Sequence, residues 1–156
     1  MERAHGNPPE EHIRDYDLVY FDGSDRSYEG EDSVIRRGTA MFEDLQVRVE
    51  IRNQARVHLW YQKHFGKPFV YLDRSGKTHG AYDSTEEAIS SWPTTATSVG
   101  VRLEEGRFVV FAPFGTEDIP NMVVRPNKRG VPKEVYEEKA PRWASTWPRL
   151  KVLPWE

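Results

Sequence analysis

Two aspartates spaced by one residue, Asp15 and Asp17, head the apolar run Leu18, Val19, Tyr20 and Phe21. In an extended strand, alternate side chains share a face. Both carboxylates therefore point the same way, with Cα atoms roughly 6.5 Å apart at about 3.3 Å per residue. Such a pair can converge on one hard divalent cation or on two close ones. Further along, residues 47–52 alternate cleanly: Val47, Val49 and Ile51 share one side, and Arg48, Glu50 and Arg52 the other. A strand–helix–strand crossover can bring Glu50 beside the first strand. Three carboxylates facing one cleft repel one another unless a cation neutralises them. Oxygen-only ligands suit Mg²⁺ or Mn²⁺ rather than zinc.

Each of these residues also has a purely structural reading. The aspartate pair fits a strand-entry turn with hydrogen-bonded carboxylates, and Glu50 fits an ion pair with Arg48 or Arg52 on its own face. Glu29 and Glu31 have the same spacing as the aspartates but fall in a predicted helix. Two residues there rotate by roughly 200°, so the pair diverges and reads as a solvated helix face. His5, His12, His58, His64 and His79 show no zinc-type spacing and read as surface or locally hydrogen-bonded residues. Arg125, Lys128, Arg129 and Lys133 lie in a Pro/Gly-containing loop. They read as a solvated basic patch or, alternatively, as a clamp for phosphates or an acceptor. The sequence contains no phosphate-binding glycine loop of the Walker type and no nucleophile elbow.

The elements that position these residues follow from local patterns. Residues 1–14 carry a Gly-Asn-Pro-Pro breaker and read as a connector. Residues 15–21 predict a strand covered on both faces, and 15–61 form the metal-carboxylate core. A helix is expected over about 27–45, burying Val34, Ile35, Met41, Phe42 and Leu45, although Gly30 and Gly38 each weaken it by about 1 kcal/mol. Residues 53–61 fit either strand or helix, and 62–83 read as loop, with 65–83 exposed. Ser84 and Glu87 have capping-box spacing and open a short helix ending before Pro93. The remainder, 84–156, adds a hairpin over 97–103 and 107–112 turned at Glu104-Glu105-Gly106, and a short helix near 116–123. A further helix starts at Pro132 and reaches about Trp147, with Pro141 expected to kink or break it. The tail, with Leu150, Val152, Leu153 and Trp155, reads as an edge strand or docking segment.

Composition narrows the function class. A chain of 156 residues fits one domain with a real core, and 12% aromatic content offsets a hydrophobic share of 37%. The net charge of −3 does not indicate broad nucleic-acid binding, which rests on phosphate neutralisation. With no cysteine, disulfides and thiolate-bound metals are excluded. No apolar run approaches the ~18 residues that cross a bilayer, and no secretory signal is evident, so a cytoplasmic protein without membrane partners is expected.

The segments DYDLVYFD (15–22), SYEGEDSVIRR (27–37), VEIRNQARVHLWY (49–61), STEEAI (84–89), TTATSVGVRL (94–103), FAPFG (111–115) and VRPN (124–127) resemble, in order, an uncharacterised bacterial nucleotidyltransferase-like family. That family belongs to the DNA polymerase β-type nucleotidyltransferase superfamily. The resemblance implies an α/β (α+β) fold with a mixed, twisted sheet flanked by helices. It implies Asp15, Asp17 and Glu50 as metal ligands for Mg²⁺ or Mn²⁺, and an NTP as substrate. Arg52, Asn53, Gln54, Arg56 and His58 are then expected near the nucleotide, with Arg56 the best candidate for a phosphate contact. The implied reaction moves a nucleoside monophosphate to an acceptor hydroxyl. A non-catalytic binding module of the same fold and a metal-dependent phosphoesterase are the alternatives. Members of the superfamily carry a Gly-Ser or Gly-Ala turn before the first acidic strand. No such turn precedes Asp15, so the chain is expected to lack that first element.

Overall fold

The structure is a computed structural model that describes Gly6, Pro8 and residues 10–45 and 47–156. His5, in the predicted connector, lies outside the described residues. The chain divides into two compact units. One comprises Ile13–Val70 with His79–Thr85, and the other Tyr71–Thr78 with Glu86–Glu156 and the described residues up to His12.

In the first unit, β1 (Tyr16–Tyr20) leads through a short loop to α1 (Tyr28–Met41), and β2 (Val49–Asn53) returns parallel to β1. Ser27 caps α1: its backbone is extended, and its hydroxyl accepts the Gly30 N–H at 3.0 Å. Glu29 and Glu31 in the first turn complement the positive end of the helix dipole. The helix ends at Met41, before a 3-10 turn over Glu43–Leu45. The expected apolar stripe is therefore only partly buried. Val34, Ile35 and Phe42 are half-buried, whereas Met41, the last residue of the helix, and Leu45, in the 3-10 turn beyond it, are exposed. Gly38 explains why a helix tolerates this residue: a side-chain carbon there would overlap Ile51 Cδ1, so α1 lies close over β2.

The first strand is not covered on both faces. Among the described residues β1 pairs with β2 alone, and Tyr16 and Leu18 stay exposed. After β2, the ambiguous stretch resolves into a 3-10 turn (Gln54–Arg56) and α2 (Val57–Phe65). The loop that follows is less exposed than its polar composition suggests. Phe69 and Tyr82 are buried and stack edge-on at 5.1 Å, with Tyr61 against Phe69 at 5.4 Å.

Elsewhere the strands are short and paired two by two. β3 (Tyr71–Leu72) and β4 (Thr78–His79) flank a turn in which the Asp73 carboxylate accepts N–H bonds from Ser75 and Lys77. α3 (Thr85–Ser90) begins directly after Ser84. β5 (Gly100–Glu104) and β6 (Arg107–Phe111) form the expected antiparallel hairpin, turned at Glu105 and Gly106. Both turn residues have positive φ, 49° and 76°, as a two-residue hairpin turn matching strand twist requires.

The helix expected near 116–123 is instead a series of turns that carries Met122 at φ 57°. β7 (Val123–Val124) pairs in parallel with β8 (Lys151–Val152), so the tail is the edge strand expected. α4 (Lys133–Thr146) starts after Pro132 and runs through Pro141 without a break. Pro141 is exposed, so the carbonyl left without its N–H partner lies on an open side of the helix. Val124, Tyr136 and Ala140 form a buried cluster against which Trp143, Leu150 and Trp155 pack. The Tyr136 hydroxyl donates to the Leu153 carbonyl at 2.6 Å, tying α4 to the tail. Among the described residues, no helix is long and apolar enough to cross a membrane.

Candidate functional site

The parallel register of β1 and β2 sets Asp17 directly against Glu50, Leu18 against Ile51 and Val19 against Arg52. A hydrogen bond of 2.8 Å from the Tyr16 N–H to the Arg48 carbonyl shows the strands still together at the entrance to the pair. Asp15 lies immediately before β1 and Arg48 immediately before β2. Directly opposed residues in a sheet share a face, with strands about 4.8 Å apart. One face of the pair therefore carries Asp17 and Val19 beside Glu50 and Arg52. The other carries Tyr16, Leu18 and Tyr20 beside Val49, Ile51 and Asn53, and α1 covers it at Ile51. The carboxylate row thus lies on the side away from α1. Asp15 and Asp17 are exposed, and Glu50 is half-buried.

The side chains do not yet form a metal cage. The Arg48 guanidinium holds the Glu50 carboxylate in an ion pair along the strand. Among the described residues, no three histidine or carboxylate side chains converge to hold a metal ion. The backbone sets Glu50 opposite Asp17, and the Arg48 guanidinium supplies the counter-charge of the Glu50 carboxylate.

The other predicted site residues cluster where β2 ends. Asn53 is buried and makes four side-chain hydrogen bonds. It accepts from the N–H groups of Asp22 (3.0 Å) and Ala55 (3.1 Å) and donates to the carbonyls of Asp22 (3.0 Å) and Asp25 (3.4 Å). One amide side chain thereby stitches the end of β1 to the end of β2. Gln54 is also buried and donates to the Arg52 carbonyl at 3.4 Å. Arg56 is turned inward: its guanidinium pairs with Glu31, and its Nε donates to the Arg26 carbonyl at 3.0 Å. Arg52 is exposed on the carboxylate face and donates to the Ile51 carbonyl at 3.1 Å. His58 is half-buried, and its ring Nδ1 has no hydrogen-bond partner among the described residues. Burial, and then the nearby Arg26 charge, hold its pKa below the ordinary histidine value.

Two features escape the sequence pattern. Glu31 is not part of a solvated helix face. Its carboxylate accepts the Asn53 N–H at 2.9 Å and pairs with Arg56, and the two side chains are only 13% and 17% exposed. The first-turn position of Glu31 was the available signal, because the start of α1 and the end of β2 meet at one end of a strand–helix–strand unit. The loop after β1 is the second feature. Asp22 accepts the hydroxyl and N–H of Ser24 (2.6 and 2.9 Å) and the Asp25 N–H (3.2 Å). The Ser24 hydroxyl bond, then the two backbone bonds, hold its carboxyl below the usual value.

The basic cluster is engaged within its own unit rather than merely solvated. Arg125 pairs with Asp118, Lys133 with Glu137, and Lys128 and Arg129 lie over the rings of Trp155 and Phe114.

The fold is α+β, with β1, which carries Asp17, paired in parallel with β2, which carries Glu50. A family model described as nucleotidyltransferase matches residues 2–152, and the chain belongs to that family. Among solved structures, it is similar to an NMR structure described as revealing a CCA-adding enzyme head domain. The two share 26% sequence identity and a TM-score of 0.69, over 96% of this chain and 72% of that one. A comparison with curated proteins gave no match. The family and fold implied by the sequence motifs are thereby borne out.

Proposed function

We propose that the chain transfers a nucleoside monophosphate from an NTP to an acceptor hydroxyl, with Asp15, Asp17 and Glu50 as ligands for Mg²⁺ or Mn²⁺. The observation that carries this reading is the register that opposes Asp17 and Glu50 on the open face of the β1–β2 pair. The donor set suits a hard cation, since its ligating groups are all carboxylates. Bound there, the metal would supply charge neutralisation at the triphosphate and activation of the attacking hydroxyl.

The protein's own part is positioning. Asp17 and Glu50 sit on paired strands that fix their separation, and Asn53 locks the strand ends together. Arg52, exposed opposite Val19 on the same face, is placed to reach a phosphate oxygen. Gln54, Arg56 and His58 serve the nucleotide side of the site by shaping the end of β2. The similarity to a CCA-adding enzyme head domain supports a nucleotide donor. The net charge of −3 gives no support to a broad nucleic-acid surface.

A second reading, a nucleotide-binding module without turnover, draws on the Arg48–Glu50 pair, which leaves the carboxylates unconverged. Labelled NTP with Mg²⁺ distinguishes the readings: the transferase gives pyrophosphate plus a nucleotidylated product, a phosphoesterase gives free nucleotide, and the module gives neither. Asp17→Asn is expected to abolish turnover while leaving the circular dichroism melt unchanged. Turnover that survives this substitution would refute the site.

A further inference from the structure

The end of α2 presents rings and positive charge that neither the core nor the transfer reaction uses. Trp60 is 58% exposed and Phe65 44%, although both are large apolar side chains. The Trp60 indole is stacked on the His64 ring, with 5.0 Å between centroids and 9° between planes. Phe65 meets these two rings edge-on, at 5.8 and 4.7 Å, and contacts Tyr61 at 4.7 Å. Tyr61 in turn contacts the buried Phe69. A chain of ring contacts therefore braces the exposed indole against the core, all within the first unit.

The charge around this platform has one sign. The sequence has no acidic residue between Glu50 and Asp73, and Lys63 and Lys67 flank the rings. Both lysines are exposed, and neither makes an ion pair among the described residues. Lys63 and His64 lie in the last turn of α2, where they offset the negative end of the helix dipole. The net charge of −3 is thus unevenly spread, and this stretch carries a local surplus of positive charge.

We propose that the end of α2 binds single-stranded nucleic acid: a base stacks on the open face of Trp60, and Lys63 and Lys67 take the adjoining phosphates. One face of the indole lies on His64, so its exposure belongs to the other face and the rim. Any base offers a ring face to such a platform, and a duplex keeps those faces within its own stack. The bracing rings hold the platform in place before the ligand arrives, which lowers the ordering cost of binding. A membrane surface fits less well, because an interfacial helix keeps its basic and apolar faces apart. Trp60, Lys63 and His64, spaced by three and four residues, share one stripe of α2. This binding needs no metal and stands apart from the assignment of Asp15, Asp17 and Glu50.

The test is fluorescence anisotropy of labelled short adenylate and uridylate strands, and of an RNA duplex of the same length, titrated with the full chain in EDTA. Wild type should bind both single strands, and the duplex at least about fivefold more weakly. Trp60→Ala should weaken single-strand binding about five- to a hundredfold, the worth of one stacked base. Trp60→Phe keeps a ring there and should recover part of the loss, which separates stacking from misfolding. Phe108→Ala removes an exposed ring from the β5–β6 hairpin and should bind as wild type does. In Lys63→Gln/Lys67→Gln, the slope of log affinity against log salt should fall by about 1.4, for two phosphates. Failure of wild type to bind either strand, or equal binding by wild type and Trp60→Ala, would overturn the proposal. So would sedimentation with phosphatidylserine vesicles that Trp60→Ala abolishes while the oligonucleotides stay unbound.

Discussion

Replacing Arg56 with alanine is the sharpest test of how the frame around the site is held. The Arg56 and Glu31 side chains are 17% and 13% exposed, so the pair is largely withdrawn from water. In the variant, the Glu31 carboxylate keeps the Asn53 N–H at 2.9 Å but loses its counter-charge, and the Arg26 carbonyl loses its 3.0 Å donor. Removing one partner of a buried pair costs about 3–5 kcal/mol. The surviving N–H and the residual exposure place this case near the lower end, at about 3 kcal/mol. At roughly 2–4 °C per kcal/mol for a chain of this size, the melting temperature should fall by about 6–12 °C. Urea unfolding of wild type, Arg56→Ala, Glu31→Gln and the double variant forms a cycle. The double variant should be more stable than Arg56→Ala, because it no longer leaves a charged carboxylate unpaired. If Arg56→Ala cost less than about 1 kcal/mol while NTP affinity collapsed, the structural role would be refuted, and Arg56 would belong to the phosphates.

Two further outcomes follow from the same unit. Gly38→Ala should destabilise the protein by about 1–3 kcal/mol despite alanine's better helix propensity, because the new methyl group overlaps the Ile51 side chain; Gly38→Ala/Ile51→Val should recover most of the loss in the same urea assay. Asp22, held below the ordinary carboxylate range by the Ser24 hydroxyl and two backbone N–H groups, contributes stability that is fully present above the unfolded carboxyl pKa. That contribution disappears as pH falls through the lower folded value, so the stability gap between wild type and Asp22→Asn should close on acidification. A gap independent of pH would show that the Asp22 charge plays no part.

Much of this protein is visible locally. The Asp-x-Asp strand, the alternation around Glu50, the Ser27 helix start and the hairpin turned at Glu105-Gly106 all rest on periods or turn chemistry contained within a few residues. Where the sequence reading failed, the deciding contacts came from elsewhere in the chain. The polar composition of residues 65–83 hid Phe69 and Tyr82, which are buried and pack edge-on, with Tyr61 against Phe69. The turns at 116–123 replaced a helix. Pro141 was accommodated because α4 leaves it on an exposed side.

The site divides along the same line. By itself, the sequence placed Asp15 and Asp17 on one face of a strand and Glu50 on one face of another, because side-chain direction in a strand alternates residue by residue. Only the tertiary structure decided that those faces coincide, through a parallel register linking residues 33 apart, Asp17 and Glu50. It also decided which charges meet. Glu31 pairs with Arg56, 25 residues away, and Asn53 ties down Asp22, 31 residues away. Charge pairing depends on where distant segments come to rest, and no local period in the sequence encodes that.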